Sequence, residues 1–183
     1  VVKSGPGLLP RLWLGRRVVC AAHRPDSGTW AEYSVTTASS CFPLSSRVTD
    51  EQGSMSLVNP LTAIEFFGIV KAQRHKALVN NAAASALGRM VELLGDRHGI
   101  PVINIVRRQQ QAEMLLKSGS KYVLVSTEED FVTKLSDLAE QLKATILFDS
   151  VCGSKFEDLV EAMPHGSSVV VYGNLSSDEM PCF

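Results

Sequence analysis

Asn80-Asn81-Ala82-Ala83-Ala84-Ser85-Ala86-Leu87-Gly88 follows the apolar run Ala77-Leu78-Val79 and opens a helical pattern. Small residues recur in it at the spacing used where a strand turns into a helix beneath a dinucleotide diphosphate. Small side chains at Ala82, Ser85 and Gly88 let backbone approach phosphate and let helix pack on strand, while the helix N-terminus offers free N–H groups to negative charge. Only one of the three fingerprint positions is glycine, and alanine-rich strand-to-helix turns also occur in domains that bind nothing. The surroundings therefore carry part of the reading.

From Val58 onward, helical patterns alternate with short uninterrupted Val/Ile/Leu runs. Strands are expected at about Lys76 to Asn80, Pro101 to Val106, Tyr122 to Val125, Thr145 to Phe148 and Ser168 to Tyr172. Helices are expected from Leu61 to about Val70, with Asn59 able to cap it, then up to His98 with Gly99 as its stop, and over Gln109 to Ser118. Two more follow, from Thr127-Glu128-Glu129 to about Lys143 and over Lys155 to Met163. This alternation specifies an α/β, doubly wound parallel sheet covered on both faces, with ligands beyond the carboxyl ends of the strands. Residues 1 to about 50 read differently, as short strands at Arg17 to Ala21 and Thr29 to Val35 separated by turns. The expected division is 1–55 and 56–183.

At the end of the second strand of the alternating region, where an acid commonly accepts hydrogen bonds from the adenosine ribose, stand Arg107 and Arg108. Guanidinium groups there suit a 2′-phosphate, which selects NADPH over NADH; the alternative is a solvated pair at a helix start. The last strand runs into a glycine-containing loop, Tyr172-Gly173-Asn174-Leu175, whose backbone faces the expected nicotinamide half. Asp149, followed by Ser150-Val151-Cys152-Gly153, reads as a cap more readily than as a catalytic base. No paired carboxylates, Ser/His/Asp arrangement or phosphate-binding lysine loop is present, so no catalytic residue is nominated.

Bulk properties narrow the partners. The 183 residues carry a net charge of −1 with both signs interspersed, which argues against nucleic acid. No apolar run approaches the ~20 residues of a membrane span. Cys20, Cys41, Cys152 and Cys182, and His23, His75, His98 and His165, are scattered without metal-ligand spacing, so no metal site is expected. The chain opens on Val1-Val2-Lys3 and reads as a piece of a longer protein.

Taken in order, a set of short stretches resembles the medium-chain dehydrogenase/reductase superfamily, in its zinc-independent branch of quinone oxidoreductases and enoyl thioester reductases. They are Gly15-Arg16-Arg17-Val18, Gly28-Thr29-Trp30-Ala31-Glu32-Tyr33, Val58-Asn59-Pro60-Leu61-Thr62-Ala63, Asn81 to Gly88, Ile103-Asn104-Ile105-Val106-Arg107, Ser118-Gly119-Ser120, Asp149 to Gly153 and Tyr172-Gly173. The resemblance implies a strand order 3-2-1-4-5 in a Rossmann domain, preceded by the remnant of a GroES-like β barrel. It also implies NADPH as cofactor, with Asn59 and Thr62 near the nicotinamide and Ala84, Ser85, Ala86 and Leu87 beneath the diphosphate. Arg107 and Arg108 would lie at the 2′-phosphate, and Tyr172 to Leu175 along the nicotinamide ribose. The implied reaction is hydride transfer to a C=C bond conjugated with a thioester carbonyl, the alternatives being quinone or activated-carbonyl reduction and a non-catalytic NADPH-binding module. The substrate would be a small molecule, the full-length form a homodimer, and the compartment mitochondrial or cytoplasmic. Ala86 and Cys152 stand where such proteins usually have glycine.

Overall fold

The computed structural model describes residues 1–21 and 28–176; His23 and Cys182 lie outside them. The chain divides into two compact units, Val1–Leu61 and Thr62–Phe183.

The first unit contains helix α1 (Leu8–Trp13), strand β1 (Val18–Cys20), a 3-10 turn (Ala38–Ser40), strand β2 (Cys41–Pro43) and helix α2 (Asp50–Ser54). β1 and β2 pair antiparallel, with Val18 opposite Pro43, Val19 opposite Phe42 and Cys20 opposite Cys41. α2 opens with a reciprocal cap: Thr49 Oγ1 accepts from the Gln52 N–H at 3.2 Å, and Gln52 Oε1 accepts from the Thr49 N–H at 3.1 Å. Arg17 ties this helix to the strand pair by donating to the Val48 carbonyl at 2.8 Å and to the Asp50 carboxylate at 3.1 Å.

One expectation is corrected in this unit. Thr29 to Val35 form no strand, and the side chains of Trp30, Tyr33 and Val35 are exposed. Aromatic and branched residues favour a strand only where a neighbouring strand takes their hydrogen bonds and a core takes one face. Among the described residues the expected barrel remnant amounts to the single β1–β2 ladder.

Helix α3 (Val58–Ala72) begins three residues earlier than its sequence suggested. Asn59 is therefore inside the first turn and not its cap. Pro60 is tolerated as the third helical residue because a first-turn N–H has no partner within the helix.

The second unit continues with β3 (Ala77–Asn80), α4 (Ala86–His98), β4 (Val102–Val106), α5 (Gln109–Lys117), β5 (Tyr122–Val125), α6 (Phe131–Leu142), β6 (Ala144–Asp149), α7 (Phe156–Glu161) and β7 (Ser168–Val171). All strand pairings are parallel, in the order β5-β4-β3-β6-β7. Counted from the first strand of this sheet, that is 3-2-1-4-5, a doubly wound sheet of the Rossmann type.

The alternating side chains of the central strands feed two cores. Val79, Ile103 and Leu147 pack toward Phe131, Leu135 and Leu159 of α6 and α7. Leu78, Val102, Ile146 and Phe148 pack toward Phe66 and Val70 of α3 and Leu87 and Val91 of α4. Burial on both faces explains why these strands read as continuous apolar runs.

α4 stops at Gly99, whose φ of 65° places it in the left-handed region. α6 starts at Phe131, later than the acidic Thr127-Glu128-Glu129 suggested. Its apolar stripe, Phe131, Leu135 and Ala139, begins only there. Glu128 and Asp130 stay in the preceding turn, paired with Lys134 at 2.7 and 3.0 Å.

Candidate functional site

The ends of β3, β4, β5 and β6 open on a cavity of about 880 Å³. It lies beyond the carboxyl ends of the strands, at the junction of β3 and β6, where the connection from β3 to β4 and that from β6 to β7 leave in opposite directions. This is the place where doubly wound sheets take ligands.

The turn after β3 forms one wall. Asn81 extends the strand by donating its N–H to the Phe148 carbonyl at 3.0 Å, and Ala83 donates to the Ile105 carbonyl at 3.0 Å. Between them Ala82 has a φ of 56°, a left-handed conformation that costs a residue with a β-carbon about 1–2 kcal/mol. The strain is supported locally: the Ala82 N–H donates to Asn81 Oδ1 at 2.8 Å, and the Ser85 N–H closes the turn on the Ala82 carbonyl at 3.0 Å.

Ser85 then caps α4, its Oγ accepting from the Gly88 N–H at 3.0 Å. By helix geometry the N–H groups of Ala86 and Leu87 have no acceptor within α4. They supply the positive end of the helix dipole next to the cavity.

Gly88 allows the close packing of helix on turn that its sequence position suggested. It is buried, and a β-carbon there would fall 2.6 Å from the Cα of Ala83. It permits helix and turn to touch, and so fixes where the first turn of α4 points.

A second wall comes from the loop after β6. Asp149 is fully buried, and its two oxygens accept from the Val151 N–H at 2.9 Å and the Cys152 N–H at 3.1 Å. Asn81 Nδ2 donates to the same carboxylate at 2.7 Å. Asp149 is thus an acceptor that closes its own turn and ties it to the turn after β3; it does not cap α7, whose preceding residue is Lys155.

Cys152 has a φ of 51°, consistent with a position usually held by glycine. Burial, and then the neighbouring Asp149 charge, push its thiol pKa up. Beyond β7, Tyr172 donates its N–H to the Asp149 carbonyl, Leu175 to that of Ser150 and Ser176 to that of Val151, each at 2.9 Å.

The expected site residues separate into groups. Ala82, Ala84, Ser85, Arg107 and Leu175 line the cavity together. Ala86, Leu87 and Gly88 lie behind them in the first turn of α4, with Leu87 in the core. Arg108 precedes α5, where its backbone N–H donates to Gln111 Oε1 at 3.1 Å, and its side chain is not part of the wall.

The Tyr172 ring packs edge-on against Phe66 at 4.8 Å, beside the stacked Phe66–Phe148 pair. Burial is the main cause that raises its hydroxyl pKa. Gly173 is held close to Ser150, where a β-carbon would lie 3.1 Å from the Ser150 carbonyl oxygen. Asn174 is exposed, and Asn59 and Thr62 lie in the first two turns of α3.

The sequence reading missed Gln111, Ser126, Thr127, Val151, Ser154 and Lys155, which also line the cavity. Their common signal was available: each follows closely after the carboxyl end of a strand or stands in the first helical turn beyond it. Lys155 is neutralised by Asp158 at 2.9 Å, and Asp149 is enclosed in hydrogen bonds. Arg107, exposed and tethered through its carbonyl by Thr127 Oγ1 at 3.3 Å, is the cation this wall turns outward.

Residues 86–183, more than half the chain, match the family described as zinc-binding dehydrogenase. The chain belongs to that family. With it, the chain takes its place in the medium-chain dehydrogenase/reductase superfamily.

This dehydrogenase-family chain is 35% identical to a protein of Mesorhizobium loti proposed to be an NADPH:quinone reductase. The two superpose with a TM-score of 0.92 over 98% of this chain and 52% of that one. The mitochondrial enoyl-acyl-carrier-protein reductase of Arabidopsis thaliana is 27% identical over 157 residues, which are 83% of this chain and 42% of that protein. Escherichia coli quinone oxidoreductase, solved in complex with NADPH, is 25% identical with a TM-score of 0.68, over 80% of this chain and 45% of that one. The chain spans about half the length of the relatives it matches.

The family description names zinc. Among the described residues no three His, Cys, Asp or Glu side chains gather to hold a metal ion, so they do not provide a zinc site.

Proposed function

We propose that this chain is the nucleotide-holding part of an NADPH-dependent oxidoreductase. The observation that carries the reading is the cleft itself. A turn of small residues, the free N–H groups of a helix N-terminus and an outward guanidinium stand together at the switch point of a 3-2-1-4-5 sheet.

The residues fit the group by shape and by charge. Ala82, Ala84 and Ser85 present little beyond backbone, so a diphosphate can approach the N–H groups at the start of α4. Arg107 offers paired charge-assisted hydrogen bonds to a 2′-phosphate, which favours the phosphorylated coenzyme. Arg108 adds charge from outside the wall. On the opposite side, the backbone from Tyr172 to Leu175 faces the nicotinamide half, held there by its hydrogen bonds to residues 149 and 150.

When bound, the cofactor supplies a hydride to an electron-poor carbon. The chain's own residues bind and orient it; Ser85 Oγ accepts from the Gly88 N–H as a helix cap, and the Asp149 carboxylate accepts from three donors that hold the two turns together.

For the substrate we favour the C=C bond of an enoyl thioester, supported by the reductase name of the Arabidopsis relative. The Mesorhizobium and Escherichia relatives support a quinone instead. A mitochondrial or cytoplasmic compartment accords with either.

Calorimetric titration tests the cofactor without a substrate. NADPH should bind more tightly than NADH, and Arg107→Ala should weaken NADPH by about 1–3 kcal/mol while leaving NADH nearly unchanged. Equal losses for both nucleotides would remove Arg107 from the 2′-phosphate. Oxidation of NADPH by the full-length protein, compared between an enoyl thioester and a quinone, separates the two substrates.

A further inference from the structure

Cys20 and Cys41 face each other across the β1–β2 ladder, and the hydrogen-bond pattern fixes the type of pair they form. The Leu44 N–H donates to the Arg17 carbonyl at 3.1 Å, so Arg17 and Leu44 are a hydrogen-bonded pair. Opposed residues alternate in an antiparallel ladder. Val18 and Pro43 are therefore a non-hydrogen-bonded pair, in agreement with the missing N–H of proline, and Val19 and Phe42 are bonded.

Cys20 and Cys41 are then a non-hydrogen-bonded pair. In this kind of pair the α-carbons are about 4.5 Å apart and both side chains leave the same face. A disulfide accepts α-carbon separations of about 4.4–6.8 Å. Both residues are partly accessible, and both are thiols in this structure. The Cys41 thiol pKa is raised, first by burial and next by the thiol of Cys20, while the N-terminal amine opposes this.

We propose that Cys20 and Cys41 are a dithiol that a low-molecular-weight disulfide such as glutathione disulfide converts to an intramolecular disulfide, clamping β1 to β2. One thiolate attacks a glutathione sulfur, forming a mixed disulfide and releasing the first glutathione thiolate. The second cysteine thiolate attacks the protein sulfur of that bond, forming the Cys20–Cys41 bond and expelling the second glutathione. Two electrons and two protons pass from the protein thiols to the glutathiones. Because thiolates are the attacking species and Cys41 is shifted upward, the reaction accelerates as pH rises through and above the ordinary thiol range.

The test incubates the purified chain with glutathione disulfide, blocks remaining thiols by alkylation and digests with a protease that cuts after glutamate. Cutting at Glu32 separates the two cysteines. The expected result is a fragment pair joined without reductant and separated with it, with Cys152 alkylated only after unfolding. Cys20→Ser and Cys41→Ser should each stop at the stable glutathione adduct. Exhaustive glutathione adducts on both cysteines of the unsubstituted chain, a bond to Cys152 or Cys182 instead, or full alkylation of both thiols would each overturn the proposal.

Discussion

Two regions of this molecule are similarly rich in large apolar residues and put them to opposite use. In the sheet, Leu78, Ile103, Leu147 and Phe148 are fully buried, each packed on a helix that crosses its face. In the first unit, Leu8, Leu12, Trp30, Tyr33 and Phe42 are exposed. The sheet succeeds because apolar runs, helical stripes and turn residues repeat in an order that supplies every face with a partner. The first unit has apolar residues but a ladder of only three opposed pairs, and it depends on specific polar ties such as Arg17–Asp50 and the Thr49–Gln52 cap. Hydrophobic content does not make a core; an arrangement in which each element covers the next does.

The contrast is sharpest under truncation. Phe148→Ala should destabilise the second unit by about 3–5 kcal/mol, because it empties a site stacked on Phe66 and enclosed on all sides. Trp30→Ala removes a larger side chain and should change stability by less than about 0.5 kcal/mol. Denaturant unfolding monitored by circular dichroism measures both, and comparable losses would break the distinction between the regions.

Gly88→Ala is next. Its β-carbon meets the backbone of Ala83, which cannot swing aside as a side chain would, and a loss of about 1–3 kcal/mol is expected in the same unfolding assay. Gly5, in the first unit, has nothing within 4 Å of the point where a β-carbon would stand, and Gly5→Ala should leave stability nearly unchanged. The smallest effect at the site is that of Ser85→Ala. Losing the cap on Gly88 should cost about 1 kcal/mol in stability, with a matching drop in NADPH affinity if the first turn of α4 must be held for the diphosphate. A stability loss without any change in affinity would separate the cap from binding.

The sheet was legible in the sequence because burial on both faces leaves an uninterrupted apolar run that neither a loop nor an amphipathic helix imitates. The stop at Gly99 was legible for a similar reason, a residue type matched to one backbone conformation. The start of α6 was not, since acids such as Glu128 and Asp130 suit a first helical turn and serve equally well one turn earlier, bound to Lys134. Thr29 to Val35 misled because strand propensity is a property of a pair of segments and a sequence window shows one. Thr49 and Gln52 did carry a readable helix start that was passed over.

As residues of the cavity wall, Ala82 and Ser85 were legible from spacing and Arg107 from its place at the end of a strand, whereas Ala84 came only with the family resemblance. The Ser126-Thr127 and Ser154-Lys155 contributions depend on where strands β5 and β6 end relative to β3 and β4, which only the assembled sheet specifies.

The bond between Asn81 and Asp149 has a mechanical result. It bolts the bend beyond one central strand to the bend beyond its neighbour, at a depth where water does not compete. A displacement of either turn therefore pulls on the other, and the two walls of the cleft are coupled through a single buried contact.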